Sequence, residues 1–151
     1  MTNDPGPIGS ANIGAASVIF DSDGRVLLVK HTYGHFNWEI PGGVALPDEA
    51  PSVAAQRELH EETTIVLPEG ELSGVYYDRR HRFGPMIHFA FRYLTTGQLR
   101  ALAVPPEISD VGWFELDALP GPMSDFTELR IRDGLTSGVA YRVVEPRMWR
   151  S

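Results

Sequence analysis

The chain has 151 residues, 42% of them hydrophobic, and its 20 acidic side chains against 13 lysines and arginines give a formal net charge of −7. This length and composition suit one globular domain, and the acidic balance argues against general binding of nucleic acid through a basic surface. The absence of cysteine excludes disulfides, thiolate zinc sites and cysteine nucleophiles, and it fits a reducing cytoplasm. No apolar run approaches the roughly 18 residues of a membrane span.

We therefore expect a cytoplasmic protein without a membrane partner or a nucleic-acid partner. Residues 1–11 have neither the basic nor the apolar region of a signal peptide and predict a flexible N-terminal tail. Residues 12–151 show no internal repeat and no low-complexity segment, so they predict a single domain. A homodimer is compatible with the sequence, which has no pattern that fixes the oligomeric state.

The first forty residues predict a hairpin, a loop and a short strand. In chain order, the strand, turn, strand, loop and strand are expected at 13–20, 21–24, 26–30, 31–37 and 38–40. Tyr33, Phe36 and Trp38 offer an aromatic wall for a base or a sugar, and Trp38 is taken as a candidate substrate contact. Packing in the core is the alternative role for Trp38.

The segment Pro41-Gly42-Gly43 predicts a sharp turn whose backbone comes close to a ligand, because glycine tolerates positive φ and lacks Cβ. A plain tight turn is the alternative. A helix is expected to begin between Asp48 and Pro51, with Asp48 as its N-cap and Pro51 in its first turn. Ala55 and Leu59 are four residues apart on this helix, so they are expected to face the sheet.

Glu58, Glu61 and Glu62 crowd one side of the predicted helix, since Glu62 lies only about 40° around the axis from Glu58. Like charges at this spacing each destabilise a helix by about 0.2–0.5 kcal/mol. Arg57 is the only lysine or arginine between Ala50 and Val66, whereas a solvated helix normally interleaves lysine with glutamate. The simplest compensating partner is a divalent metal ion bound by the carboxylates.

The spacing of these residues resembles the signature of the Nudix hydrolases, G-x5-E-x7-R-E-U-x-E-E-x-G-U, in which U is apolar. Gly43 is followed after five residues by Glu49, and seven further residues lead to the run from Arg57 to Ile65. Every position matches except Thr64, which stands where the family has glycine. The signature covers 23 of the 151 residues, and so many fixed spacings make a chance match improbable.

The resemblance implies an α/β fold of the Nudix type, an α/β/α sandwich with a central mixed β-sheet. It also implies an enzyme that hydrolyses the phosphoric anhydride of a nucleoside diphosphate linked to another moiety, with Mg²⁺ or Mn²⁺ as cofactor. Glu58 and Glu62 are then the expected metal ligands. Glu61 is a third ligand or the general base, and Gly43 is expected to offer its carbonyl oxygen to the cation.

By the same resemblance, Glu49 and Arg57 form an orienting ion pair that holds a carboxylate in place, and Gly42 lies beside the substrate phosphates. A surface salt bridge that adds little stability is the alternative for this pair. Glu107, just before a strand expected at 110–114, is a candidate metal ligand or general base. Ordinary exposure in a loop is the alternative for Glu107.

Thr64 is the main departure from the family pattern. The family glycine ends the helix in the left-handed conformation, which a β-branched residue adopts only at a cost. We therefore expect either a different end to the helix or strain stored at Thr64. No metal ligand is lost by this change, so activity is not excluded.

Strands expected at 72–77 and 86–94 enclose a loop, 78–85, that contains three arginines. Because guanidinium groups bind phosphate oxygens in a bidentate manner, Arg79 and Arg80 are candidate substrate contacts. A solvated hairpin tip is the alternative for this loop.

The C-terminal part of the sequence predicts one more helix and one more strand. Ser124 or Asp125 is expected to cap a helix that runs to Gly134. Residues 139–144 are expected to form the last strand.

Three other functions compete with hydrolysis. A Nudix domain that binds nucleotide without cleaving it is supported by Thr64 and opposed by the intact Arg57, Glu58, Glu61 and Glu62. Isopentenyl diphosphate isomerases are related but need a catalytic cysteine, which is absent. RNA-decapping enzymes are expected to have a broad basic surface, which a net charge of −7 disfavours.

Overall fold

The computed structural model describes Asp4 and residues 6–151. The predicted flexible tail at residues 1–11 therefore falls partly outside the described residues, which omit 1–3 and 5. The described part of this segment is exposed and belongs to no helix or strand. No helix in the part of the chain that the structure describes is long and apolar enough to cross a membrane.

Ten strands and two helices form the fold in the described residues. The strands are β1 (Asn12–Phe20), β2 (Val26–His31), β3 (Trp38–Glu39), β4 (Gly42–Val44), β5 (Glu71–Asp78), β6 (Met86–Leu94), β7 (Ile108–Phe114), β8 (Met123–Ser124), β9 (Ala140–Val143) and β10 (Trp149–Arg150). The helices are α1 (Pro51–Thr63) and α2 (Asp125–Leu135). The predicted strands and helices are all present within one or two residues of their expected ends, while β4, β8 and β10 were not predicted.

The main sheet has eight strands and is mixed. Its central order is β3-β2-β1-β6-β5-β9, while β4 pairs with β1 and β7 pairs with β2. The β1–β6 and β5–β9 pairs are parallel and the other pairs are antiparallel. A short antiparallel pair of β8 and β10 lies outside this sheet.

Successive side chains of the central strand β1 point to opposite sides of the sheet, and both sides are buried. On one face, Val18 belongs to a core that includes Phe126 of α2. On the other face, Ile19 packs with Ala55 and Leu59 of α1, all three fully buried. The structure is therefore an α/β/α sandwich, which confirms the expected fold, and Ala55 and Leu59 face the sheet as predicted.

The helix α1 begins at Pro51, within the predicted range, but its N-cap differs from the prediction. Ala50 is its N-cap and makes no side-chain capping bond, while Pro51 occupies the first turn as expected. The prediction that Asp48 caps the helix is wrong, because Asp48 lies two residues further upstream with φ of 64°. In contrast, α2 is capped as expected by Ser124, whose hydroxyl accepts a hydrogen bond from the backbone N–H of Thr127.

The C-terminal end of α1 stores strain at Thr64. This residue has φ of 68° and ψ of −3°, and its N–H donates to the carbonyl of His60 as in a left-handed cap. The helix thus ends where the family glycine would end it, with a β-branched residue in the left-handed region.

Replacing Thr64 by glycine is expected to stabilise the protein by about 1 kcal/mol. Removing Cβ relieves left-handed strain of about 1–2 kcal/mol, and part of this gain is offset by the larger unfolded-state entropy of glycine. Chemical denaturation of Thr64→Gly and Thr64→Ala measures the effect. Equal stability of the two variants would contradict strain at this position, since alanine keeps Cβ.

Candidate active site

The strand β4 lies between the central strand and the acidic face of α1. Gly42 and Gly43 pair with Ala16 and Ala15 of β1 in antiparallel register, so they form a short strand and not the expected tight turn. A Cβ on Gly42 would lie 2.5 Å from the carbonyl oxygen of Ala15, and a Cβ on Gly43 would lie 2.5 Å from the carboxylate of Glu58. Close packing therefore requires glycine at both positions, against β1 at Gly42 and against Glu58 of α1 at Gly43.

Glu62 is the most buried of the three helix carboxylates, with 4% of its surface exposed. Its Oε1 accepts a hydrogen bond of 2.8 Å from the backbone N–H of Gly42. Burial and, to a smaller extent, the charges of Glu58, Glu39 and Glu107 raise the pKa of Glu62 to about 9, although the hydrogen bond from Gly42 acts in the opposite direction. Near neutral pH this carboxyl group therefore stays protonated unless a cation binds beside it.

Glu58 sits against Gly43 at the edge of the same region. Burial raises the pKa of Glu58, while its hydrogen bond to Arg57 acts in the opposite direction. Glu61 is more open, with 55% of its side chain exposed. The three carboxylates therefore differ in solvation, from the nearly enclosed Glu62 to the exposed Glu61.

Arg57 joins three of the predicted site carboxylates through one guanidinium group. Its Nε and Nη2 donate to the two carboxylate oxygens of Glu49, both at 2.9 Å. Its Nη1 donates to Glu58 at 3.0 Å and to Glu61 at 3.2 Å, and Nη2 also reaches the carbonyl of Val44 at 3.2 Å. The Arg57 side chain holds the pKa of Glu49 at about 2, so this pair stays ionised through the ordinary pH range.

Glu107 approaches the carboxylates from the opposite side of a cleft. Glu61, Glu62 and Glu107 line this cleft together with residues 104–106 and 108. The N–H of Val104 donates to the carbonyl of Glu62 at 3.2 Å, which ties the 104–107 loop to the end of α1. The chain thus brings all the predicted metal and catalytic side chains into one region.

The residues around Glu62 fit a divalent cation. Their donor atoms are carboxylate and carbonyl oxygens, which Mg²⁺ and Mn²⁺ prefer. A cation would also compensate the buried Glu62 charge. Among the described residues, no three acidic or histidine side chains converge as a ready-formed ligand set. Arg57 donates to Oε1 of Glu58, so a cation can share this carboxylate through its second oxygen.

A cavity of about 220 Å³ opens beside β4. Gly42 and Gly43 form part of its wall, so the cavity adjoins the carboxylate region. The side chains that reach it include Tyr33, Glu39, His88, Arg130, Arg147 and Trp149.

The three residues predicted to bind substrate through side chains outside the signature do not line this cavity. Trp38 is 8% exposed and packs edge-on against Phe114, with ring centroids 4.9 Å apart, so its position favours the alternative of core packing. Arg79 and Arg80 are exposed in the loop after β5. From the same loop, His81 does reach the cavity wall.

Sequence reasoning missed Glu39 and Arg130. The Nη2 of Arg130 donates to Glu39 at 3.0 Å, and the other Glu39 oxygen accepts from the hydroxyl of Thr127 at 2.8 Å. This buried pair connects α2 to β3 at the cavity wall. Its only sequence signal was two charged residues within otherwise core-forming segments, far apart in the chain.

Comparison with known proteins identifies the family. The NUDIX domain family model matches residues 11–132. The chain belongs to the Nudix family. It is a hydrolase that acts on phosphoric anhydride bonds, and Nudix hydrolases generally use divalent metal ions.

This Nudix chain has relatives of similar length. A MutT-like protein of Streptomyces ambofaciens is 30% identical over 124 residues, which cover 82% of this chain and 77% of the relative. An RNA pyrophosphohydrolase of Acidiphilium cryptum (strain JF-5) is 32% identical over 129 residues, covering 73% and 77%. A MutT Nudix hydrolase structure from Burkholderia pseudomallei superposes with a TM-score of 0.72 at 26% identity, covering 85% of this chain and all of that one.

Substitution by alanine is expected to have different effects at the two glycines of β4 in this Nudix protein. Gly42→Ala pushes Cβ into the β1 backbone, which cannot move away cheaply, so it is expected to destabilise the fold by about 1–3 kcal/mol. Gly43→Ala displaces the flexible end of Glu58, so it is expected to reduce activity with little loss of stability. Thermal unfolding and turnover of both variants test this contrast, which equal losses of stability would contradict.

Proposed function

We propose that this chain catalyses metal-dependent hydrolysis of a nucleoside diphosphate linked to another group, X. Water attacks one phosphorus of the diphosphate, and the P–O bond of the bridging oxygen breaks. The products are a nucleoside monophosphate and phosphate-X. The observation that carries this proposal is the position of Gly42 and Gly43, which lie against Glu62 and Glu58 and also line the adjoining cavity.

The residues that would hold the metal are Glu58 and Glu62, with Glu61 and the carbonyl of Gly43 as further donors. The ion is Mg²⁺ or Mn²⁺, which when bound neutralises phosphate charge and lowers the pKa of a coordinated water. The Arg57–Glu49 pair positions the Glu58 carboxylate against β4. The backbone of Gly42 would lie beside the phosphates, and its N–H donates a hydrogen bond to Glu62.

Glu61 and Glu107 are both candidates for the general base. Both side chains are exposed. Glu61 accepts a hydrogen bond from Arg57, and Glu107 lies in the loop that lines the same cleft. Arg79 and Arg80 extend from the loop beside the cavity wall, where they would contact the outer phosphates or X. A cytoplasmic location and a homodimer remain parts of the same prediction.

The alternative is a domain that senses nucleotide without cleaving it. It is supported by the strained Thr64 and by the Arg57 hydrogen bonds to the Glu58 and Glu61 carboxylates. The intact signature residues favour hydrolysis over sensing.

A release assay decides between these functions. The substrates are ADP-ribose, an oxidised nucleoside triphosphate, a dinucleoside polyphosphate, a nucleotide sugar and a 5′-triphosphorylated RNA, each with Mg²⁺ and with Mn²⁺. We expect turnover of at least one small nucleotide, abolished by a chelator. Tight nucleotide binding without turnover on any of them would favour the sensing alternative, and RNA as the preferred substrate would contradict a small-molecule substrate.

A further inference from the structure

The last seven residues, 145–151, cross the first turn of α2, and we call them the C-terminal strap. They lie beyond the 11–132 family match. The N–H of Asp125 donates to the carbonyl of Met148 at 2.9 Å, and the N–H of Met148 donates to the Asp125 carboxylate at 3.0 Å. The strap also contains β10, which pairs with β8. It is therefore fixed to the domain by its backbone as well as its side chains.

Trp149 of the strap reaches the cavity and is 41% exposed. Its ring stacks on His35 from the loop after β2, with centroids 3.8 Å apart and an interplanar angle of 21°. The strap and this loop thus contact each other beside the cavity. An indole that is held by one stacked neighbour and is open to a cavity provides a surface on which a planar ring can stack.

The cavity contains two guanidinium groups, and each already has a carboxylate partner. The Nη2 of Arg130 lies 3.0 Å from Glu39, and the Nη1 of Arg147 in the strap lies 2.6 Å from Asp78. Both guanidinium groups also lie over the ring of Phe126, at 3.9 and 4.6 Å from its centroid. The positive charge is therefore compensated before any ligand arrives.

The histidines of the cavity add no charge near neutral pH. Burial lowers the pKa values of His31 and His81. Burial, together with the charges of the neighbouring Arg130 and Arg147, lowers the pKa of His88 to about 3. A polyanionic group would thus find no uncompensated cation here, whereas an uncharged ring with polar edges would find stacking surfaces and hydrogen-bonding side chains.

We propose that the C-terminal strap forms the binding wall for the nucleobase of the substrate, and that Trp149 is the residue on which the base stacks. This inference rests on the proposed function and adds which part of the substrate the cavity binds. The cavity selects an uncharged planar group joined to the diphosphate, and it excludes a second densely phosphorylated group.

Calorimetric binding of AMP and of tripolyphosphate, both in the presence of EDTA, tests the inference without turnover. Base stacking on an aromatic side chain predicts that Trp149→Ala weakens AMP binding by about five- to 150-fold. Trp149→Phe keeps a ring and is expected to stay within about threefold of the unaltered protein. AMP is expected to bind at least about tenfold more tightly than tripolyphosphate.

Tyr141→Ala is the matched control, because Tyr141 is a 70% exposed aromatic residue that does not line the cavity. Unchanged AMP affinity in Trp149→Ala, an equal loss in Tyr141→Ala, or tighter binding of tripolyphosphate than of AMP would each overturn the inference. If AMP binding depends on Trp149 but no substrate is cleaved, the strap assignment stands and the proposed catalysis fails. If cleavage depends on Glu58 but AMP affinity does not depend on Trp149, the proposed catalysis stands and the strap assignment fails.

Discussion

Glu62→Gln is expected to reduce metal-dependent hydrolysis about a thousandfold or more. A carboxylate ligand of a divalent ion contributes several kcal/mol of charge stabilisation in the transition state, and each 1.36 kcal/mol corresponds to about tenfold in rate. Glutamine keeps the size and the hydrogen bond from Gly42 but loses the negative charge. Turnover at saturating Mg²⁺ measures the loss, and Glu58→Gln is expected to behave in the same way.

The same variant is expected to fold at least as stably as the unaltered protein in the absence of metal. The pKa of Glu62 is raised from 4.5 to about 9 in the folded chain, so its contribution to stability is fully present below about pH 4.5 and is lost as the pH rises toward 9. Glutamine does not titrate. Denaturation midpoints from pH 5 to pH 9 should therefore shift increasingly in favour of Glu62→Gln.

Glu69→Gln provides the control for Glu62→Gln, because Glu69 is exposed and lies outside the carboxylate region. It is expected to keep full activity and the pH dependence of the unaltered protein. Wild-type turnover by Glu62→Gln with saturating Mg²⁺ would show that Glu62 is not a metal ligand.

Arg57→Ala is expected to lower activity about a hundredfold, because groups that orient metal ligands typically contribute 10- to 100-fold. One guanidinium group holds Glu49, Glu58 and Glu61, so its removal frees all three carboxylates. Arg57→Lys keeps the charge but cannot form the two parallel bonds to Glu49. The lysine variant should therefore show an intermediate loss of about tenfold.

Steady-state rates over a range of Mg²⁺ concentrations measure this effect, which we expect both in turnover and in the amount of metal required. Arg25→Ala is the matched control, since Arg25 pairs with Asp21 and Asp23 in an exposed turn. Full activity in Arg57→Ala would reduce the Arg57–Glu49 pair to an ordinary surface salt bridge.

The fold could be predicted from local patterns wherever they are strong. The apolar runs of β1, β5 and β6 and the Ser124 cap of α2 each fixed an element correctly, because periodicity and capping act over a few residues. The predicted N-cap of α1 was wrong, because Asp48 satisfies the sequence rule for an N-cap while the chain makes an extra turn before Pro51. The strand at Gly42 and Gly43 was read as a turn, because glycine favours turns unless a neighbouring strand pairs with it.

The carboxylate part of the candidate site could be predicted from the sequence, whereas the cavity wall depends on long-range contacts. The carboxylates of α1 and Arg57 share one helix, so their spacing alone predicted their neighbourhood. Glu39 meets Arg130 across 91 positions, and no local pattern reveals such a pair. The short strand β10 was missed for the same reason, since its partner β8 provides its only pairing in the described chain.

The carboxylates and the cavity wall come from separate segments of the chain, which has a consequence for engineering. The carboxylates that we propose to bind metal come from one helix, α1. Arg147 and Trp149 come from residues 145–151, which join the domain through Asp125, Glu128 and β8. Exchanging this terminal segment between related enzymes, together with those anchor points, should transplant substrate preference while leaving the hydrolytic apparatus intact.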